Sequence, residues 1–100
     1  MIDLQEAPYY EKEIFYNEDK HEKVMLTIHV FKGTEWLSLR KYYQDFDETW
    51  RHGNEGISIP LDLENSQNLF IGLVEILSLA ESKSILENQF KEILDEIYLS

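Results

Sequence analysis

The chain has 100 residues and sets 9 basic side chains against 20 acidic ones, a net charge of −11. That length suits one domain with one core, and the charge opposes polyanions at long range. With no cysteine there are no disulfides or thiolate metal sites, and a reducing compartment fits better than secretion. No apolar run approaches the roughly 20 residues of a membrane span, and the start lacks the basic and apolar regions of a signal peptide. The expectation is a soluble intracellular protein.

Residues 1–12 are acidic, carry Pro8 and show no sustained period, so they read as an arm. Glu13 to Asn17, with Ile14, Phe15 and Tyr16, suffices for a short first strand, and Glu18 to Glu22 is a solvated turn. From Lys23 to Tyr43 two alternating runs follow, joined by Phe31-Lys32-Gly33-Thr34. Val24, Leu26, Ile28 and Val30 share one parity and Met25, Thr27, His29 and Phe31 the other; Leu37 and Leu39 then alternate with Trp36, Ser38 and Arg40. Gly33 supplies the left-handed dihedrals of a tight connection, which makes the runs an antiparallel hairpin. Its aliphatic face is expected to pack. The other presents Phe31, Trp36 and Arg40.

Gln44 to Thr49 reads as a polar connection interrupted by Phe46. Trp50 and Arg51 precede His52-Gly53-Asn54-Glu55-Gly56, whose glycines mark a turn or bulge, and Ile57-Ser58-Ile59 forms a fourth strand that Pro60 ends. From Asp62, a capping residue, Leu63, Phe70, Leu73, Val74, Leu77 and Ala80 follow a 3.6-residue repeat, a helix expected on the aliphatic side of the sheet. Ser84 and Glu87 have capping-box spacing, ahead of a second stripe formed by Leu86, Phe90, Ile93, Leu94 and Ile97. Whether these are two helices or one kinked rod stays open. The fold class is α+β, a four-stranded antiparallel sheet followed by one or more C-terminal helices, and the surplus apolar stripe points to a dimer.

The charge is unevenly spread. Residues 1–23 hold three lysines against seven acids and residues 53–100 two against nine, whereas residues 24–52 hold four cations against four acids. A locally positive sheet face is therefore compatible with an acidic molecule, with modest and salt-sensitive affinity for nucleic acid.

Four pieces of text occur in order: Phe31-Lys32-Gly33-Thr34, Leu37-Ser38-Leu39-Arg40-Lys41-Tyr42-Tyr43, Trp50-Arg51 and Gly56-Ile57-Ser58-Ile59-Pro60-Leu61. Together they resemble the single-stranded-DNA-binding domain of the transcriptional positive cofactor four family, bacterial or phage members included, over about residues 13–80. The domain reading is thus an arm at 1–12, this domain at 13–80 and a helical extension at 81–100. The resemblance implies a curved sheet plus helix, paired as a homodimer, that binds unpaired strands with little sequence preference. It places Phe31, Lys32, Arg40 and Tyr43 against the nucleic acid, with Arg51 as a further basic contact. It also implies a role in transcription, replication or recombination, in the cytoplasm with the nucleoid or, for a phage protein, in the host cytoplasm. The chain departs from the family pattern in having Thr34 after the turn glycine and Asn54-Glu55 before Gly56.

Unpaired strands are held by bases stacked on rings while cations track phosphates. Phe31, Trp36, Tyr43 and Trp50 offer the rings and Lys32, Arg40 and Arg51 the charge; the bland account of the same rings is ordinary strand packing. By parity Tyr43 falls with Leu37 and Leu39 unless a bulge reverses the register. His21, His29 and His52 are too widely spaced for a local metal site, and no cofactor is expected. No phosphate-cradling glycine loop, nucleophile elbow or triad is present, so catalysis is not expected. The alternative function is an acidic protein-interaction module that keeps the fold but binds nucleic acid weakly or not at all, with a protein partner on the C-terminal helices. RNA in place of DNA shares the same face and stays open.

Overall fold

Alternation sustained over four runs becomes four antiparallel strands in the computed structural model, which describes residues 8–99. The strands are β1 (Tyr10–Asn17), β2 (Glu22–Phe31), β3 (Thr34–Gln44) and β4 (Trp50–Pro60), followed by helices α1 (Leu63–Ala80) and α2 (Lys83–Leu99). They pair in sequence order as one open sheet. The protein is therefore α+β as expected, with two separate C-terminal helices. β1 begins at Tyr10, three residues before the expected start, so the end of the supposed arm is strand; residues 1–7 of that arm lie outside the described residues. The chain divides into two compact units, Met1–Asn65 and Ser66–Ser100.

The β2–β3 connection is a two-residue turn. Lys32 and Gly33 both have positive φ, +51° and +77°, the combination of a type I′ turn, whose twist matches the strands it joins. Phe31 pairs with Thr34, and the ladder then runs without a break to Glu22 and Tyr43. Two irregularities interrupt the outer ladders. Ile14 is an extra residue in β1, which flips the faces of Phe15 and Tyr16. In β4, Gly53, Asn54 and Glu55 oppose Lys41 alone; this bulge inserts two residues and so preserves parity.

One face of the sheet consequently carries Tyr16, Lys23, Met25, Thr27, His29, Phe31, Trp36, Ser38, Arg40, Tyr42, Trp50, His52 and Ser58. The other carries Phe15, Val24, Leu26, Ile28, Val30, Leu37, Leu39, Lys41, Tyr43, Arg51, Ile57 and Ile59. Among the described residues the buried ones are Met25, Thr27, His29, Ser38 and Arg40, all on the first face. Aliphatic Leu39 and Ile57 stand exposed on the second. This reverses the expectation that the aliphatic face is the sealed one. Curvature is the reason. The rings of Tyr16 and Trp50, on the two outermost strands, approach to 6.0 Å between centroids, although flat strands three spacings apart would lie about 14 Å from each other. The face between them is concave and encloses Met25, Thr27 and His29 of β2 and Ser38 and Arg40 of β3.

In α1, Asp62 accepts a hydrogen bond from the Asn65 backbone at 2.7 Å, the expected cap. For α2 the cap is Ser82 rather than Ser84: its Oγ accepts from the Ile85 amide at 3.4 Å, and the helix starts at Lys83. Neither helix contains a buried residue, and Leu69, Phe70, Ile71, Leu73, Ile76, Leu77, Leu79, Ile93, Leu94 and Ile97 are all exposed.

Candidate nucleic-acid interface

Of the seven residues the sequence singles out, Phe31, Trp36, Arg40 and Trp50 share the concave face, Lys32 stands on the turn at its end, and Tyr43 and Arg51 lie on the reverse face. Tyr43 keeps the parity of Leu37 and Leu39 because β3 carries no inserted residue, and the even insertion in β4 sets Arg51 beside it on the same face.

At the turn end, Phe31 is exposed and the Lys32 ammonium sits 5.4 Å from its ring. Trp36 lies opposite His29 and diagonal to Phe31; its half-buried indole Nε1 has no hydrogen-bond partner among the described residues. At the other end, the Lys23 ammonium lies 4.4 Å from the Trp50 ring and 5.9 Å from that of Tyr42, within cation–π range. Tyr16 meets Trp50 edge-on, and Tyr42 meets His52 in the same manner at 6.1 Å. Burial first, and the negative charge of Glu11 second, push the Tyr42 phenol above its ordinary value, with Arg40 pulling it back.

Between the two ends the face is polar and closed. Arg40 is only 2% exposed; its Nη2 meets His52 Nδ1 at 2.9 Å, while its Nε has no hydrogen-bond partner among the described residues. Ser38 and Ser58 share a 2.7 Å hydrogen bond. Arg40 thus ties β3 to β4 beside the bulge and is not a free cation on the surface.

On the reverse face Arg51 is ion-paired with Asp45, which raises the guanidinium's pKa. Lys41 reaches Glu22 at 3.2 Å and Glu55 at 3.1 Å; the hydrogen bond to Glu55 is the larger cause of its raised pKa. Asp45 also organises the β3–β4 loop by accepting from the backbone amides of Asp47 and Thr49, at 3.2 and 3.3 Å. The loop leaves Phe46 fully exposed beside Tyr43 and His21. Among the described residues no group of three or more histidines and carboxylates comes together in a way that would hold a metal ion, and no helix is long and apolar enough to cross a membrane.

Sequence reasoning missed Tyr16, Lys23, Tyr42 and His52. Lys23 was within reach, since it has the parity of Met25, His29 and Phe31. Tyr16 was not, because the extra residue at Ile14 changes its face, and its approach to Trp50 exists only in a curved sheet.

An open four-stranded sheet followed by helices, with rings and ammonium groups paired at both ends of a concave face, defines a sheet-platform binding domain. Residues 15–66, about half the chain, match the family model of the transcriptional coactivator p15 (PC4), and the chain belongs to that family. Among solved structures it is similar to a bacteriophage T5 homologue of the eukaryotic coactivator PC4, described as implicated in recombination-dependent DNA replication. The two share 28% identity and a TM-score of 0.64, over 83% of this chain and 94% of the phage protein. No curated protein sequence matches.

Proposed function

We propose that this protein binds single-stranded DNA, largely without regard to sequence and without catalysing a reaction, as a homodimer in the cytoplasm, serving replication, recombination or transcription. The observation that carries the reading is the pairing of a cation with an aromatic ring at each end of one concave face: Lys32 with Phe31 at the turn, and Lys23 with Trp50 at the far end. A base stacked on such a ring with its phosphate on the neighbouring ammonium is the repeating unit by which proteins hold unpaired strands. Phe31, Lys32, Trp36 and Trp50 are the contacts on this face. Arg40 positions β4 beneath them, and Tyr43 extends the contact onto the reverse face, where Asp45 holds Arg51 beside it. Family membership and the stated replication role of the similar phage protein support the biological setting.

The test is a fluorescence-anisotropy titration with an oligothymidylate of about 16 nucleotides at low salt. Phe31→Ala with Lys32→Ala is expected to weaken binding by about tenfold or more, since a stacked base contributes roughly 1–3 kcal/mol. Absence of wild-type binding at low salt would sink the reading. A protein-interaction module is the second reading. It is favoured by Glu55, which holds Lys41 at 3.1 Å where a free cation would serve DNA. Under it, Thr34→Lys with Glu55→Lys creates oligonucleotide binding that the wild type lacks.

A further inference from the structure

On the reverse face, at the β1–β2 end, the register lays out two rows of side chains. Phe15, Val24 and Lys41 form one; Asn17, Glu22, Tyr43 and Arg51 form the other. Beside these rows opens a cleft of about 320 Å³ lined by Phe15, Asn17, Lys20, Glu22, Lys23 and Lys41. Three of the chain's seven lysines thus line one cleft of a molecule whose net charge is −11.

These lysines are not equivalent. Lys41 is held between Glu22 and Glu55. Lys20 makes no ion pair among the described residues, and its backbone is fixed by donating to Asn17 Oδ1 at 3.3 Å. Lys23 lines the cleft while its ammonium lies against Trp50 of the concave face, so it connects the two surfaces. Phe15 is exposed in the cleft lining and Tyr43 in the next row. Two strands and two residues separate them, about 12 Å in sheet geometry.

We infer that this cleft is an additional subsite for one nucleotide of a DNA strand, with the base stacked on Phe15, the phosphate on Lys20, and Tyr43 taking the next base. The inference rests on the single-stranded-DNA reading. Charge complementarity selects the occupant: the Lys20 ammonium, not committed to a carboxylate and lining the same cleft as an exposed ring, matches one phosphate joined to a base. The Glu22 carboxylate in the cleft lining neutralises Lys41 and leaves room for one phosphate rather than a run of them.

The subsite is tested with the full chain, by backbone amide shifts in NMR titrations and by salt-dependent affinity. A 5′-phosphorylated thymidine dinucleotide is expected to shift the amides of Phe15, Asn17 and Lys20. With the longer oligothymidylate, Lys20→Ala should lower the slope of log affinity against log salt by about 0.7, one phosphate's worth on a single strand. Phe15→Leu, which keeps an apolar side chain, should weaken binding about fivefold or more with an unchanged thermal midpoint. Shifts confined to residues of the concave face, together with an unchanged salt slope in Lys20→Ala, would overturn the subsite while leaving the single-stranded-DNA reading intact. No shift anywhere with the longer oligonucleotide would overturn both.

Discussion

Asp45 and Arg51 show how an acidic protein can carry a cation and yet withhold it. Hydrogen bonding with Asp47 first, and the Arg51 guanidinium second, hold the Asp45 carboxyl at about 2, below its ordinary 3.8. A carboxyl whose folded value is depressed lends its stabilisation fully above its unfolded value and loses it as the pH falls through the folded one. The loop held by Asp45 should therefore be intact above about pH 4 and loosen as the pH drops through about 2. Asp45→Asn keeps an oxygen that can accept from the Asp47 and Thr49 amides but removes the charge that occupies Arg51. The expected outcome is about threefold tighter oligonucleotide binding at low salt, a gain that fades as ions screen the freed guanidinium. The same variant should flatten the acid-side change in the loop amide shifts. Weaker binding in Asp45→Asn would mean that the ion pair presents Arg51 to the strand rather than withholding it.

At the scale of elements, what the sequence makes legible is what depends on neighbours in the chain. The parity of Val24 to Phe31, the glycine at the turn and Pro60 at the end of β4 are local signals, and each element stands where they point. Which face becomes concave is not local. Val24, Leu26 and Ile28 look like the sealed side by hydrophobicity, yet Thr27, at 0% exposure, and Ser38 lie deeper. Bending across four strands decides that, and the bulges that accompany it leave only faint traces: an unremarkable Ile14, and a Gly53–Gly56 pair that signals irregularity without its size. The same limit divided the candidate site. Phe31, Trp36 and Arg40 share a face as alternation suggests, and Tyr43 keeps the reverse face that its parity gives, whereas Trp50 and Arg51 required the count of residues inserted in β4. The start of α2 was misjudged for another reason: Ser82 and Ser84 are both competent caps, and the Glu three residues after Ser84 favoured the wrong one. Ser82→Ala is accordingly expected to destabilise α2 by about 1 kcal/mol, seen as lost helical circular dichroism and a lower unfolding midpoint, with Ser84→Ala near neutral. The reverse ranking would return the cap to Ser84.

For the whole molecule, the question is what covers the helices. Between Leu69 and Leu79, α1 exposes Leu69, Phe70, Ile71, Leu73, Ile76, Leu77 and Leu79, which spread over much of its circumference rather than along one stripe. A helix apolar nearly all round is a buried helix, and exposed apolar area of this extent marks an association surface. A second copy is the simplest cover, because a two-fold pair buries the same residues twice and sets two concave faces on one particle. Linking two weak platforms raises the local concentration of the second once the first has engaged a strand, and so offsets the repulsion of an acidic protein for DNA without any new contact. Sedimentation should accordingly return about twice the 11.9 kDa of the chain at micromolar concentration. Leu73→Glu with Leu77→Glu, one helical turn apart on α1, should halve that mass and weaken binding to long oligonucleotides far more than to short ones, because only a long strand spans both platforms. A wild-type mass of one chain would refute the dimer, and equal losses on long and short strands would refute the linkage.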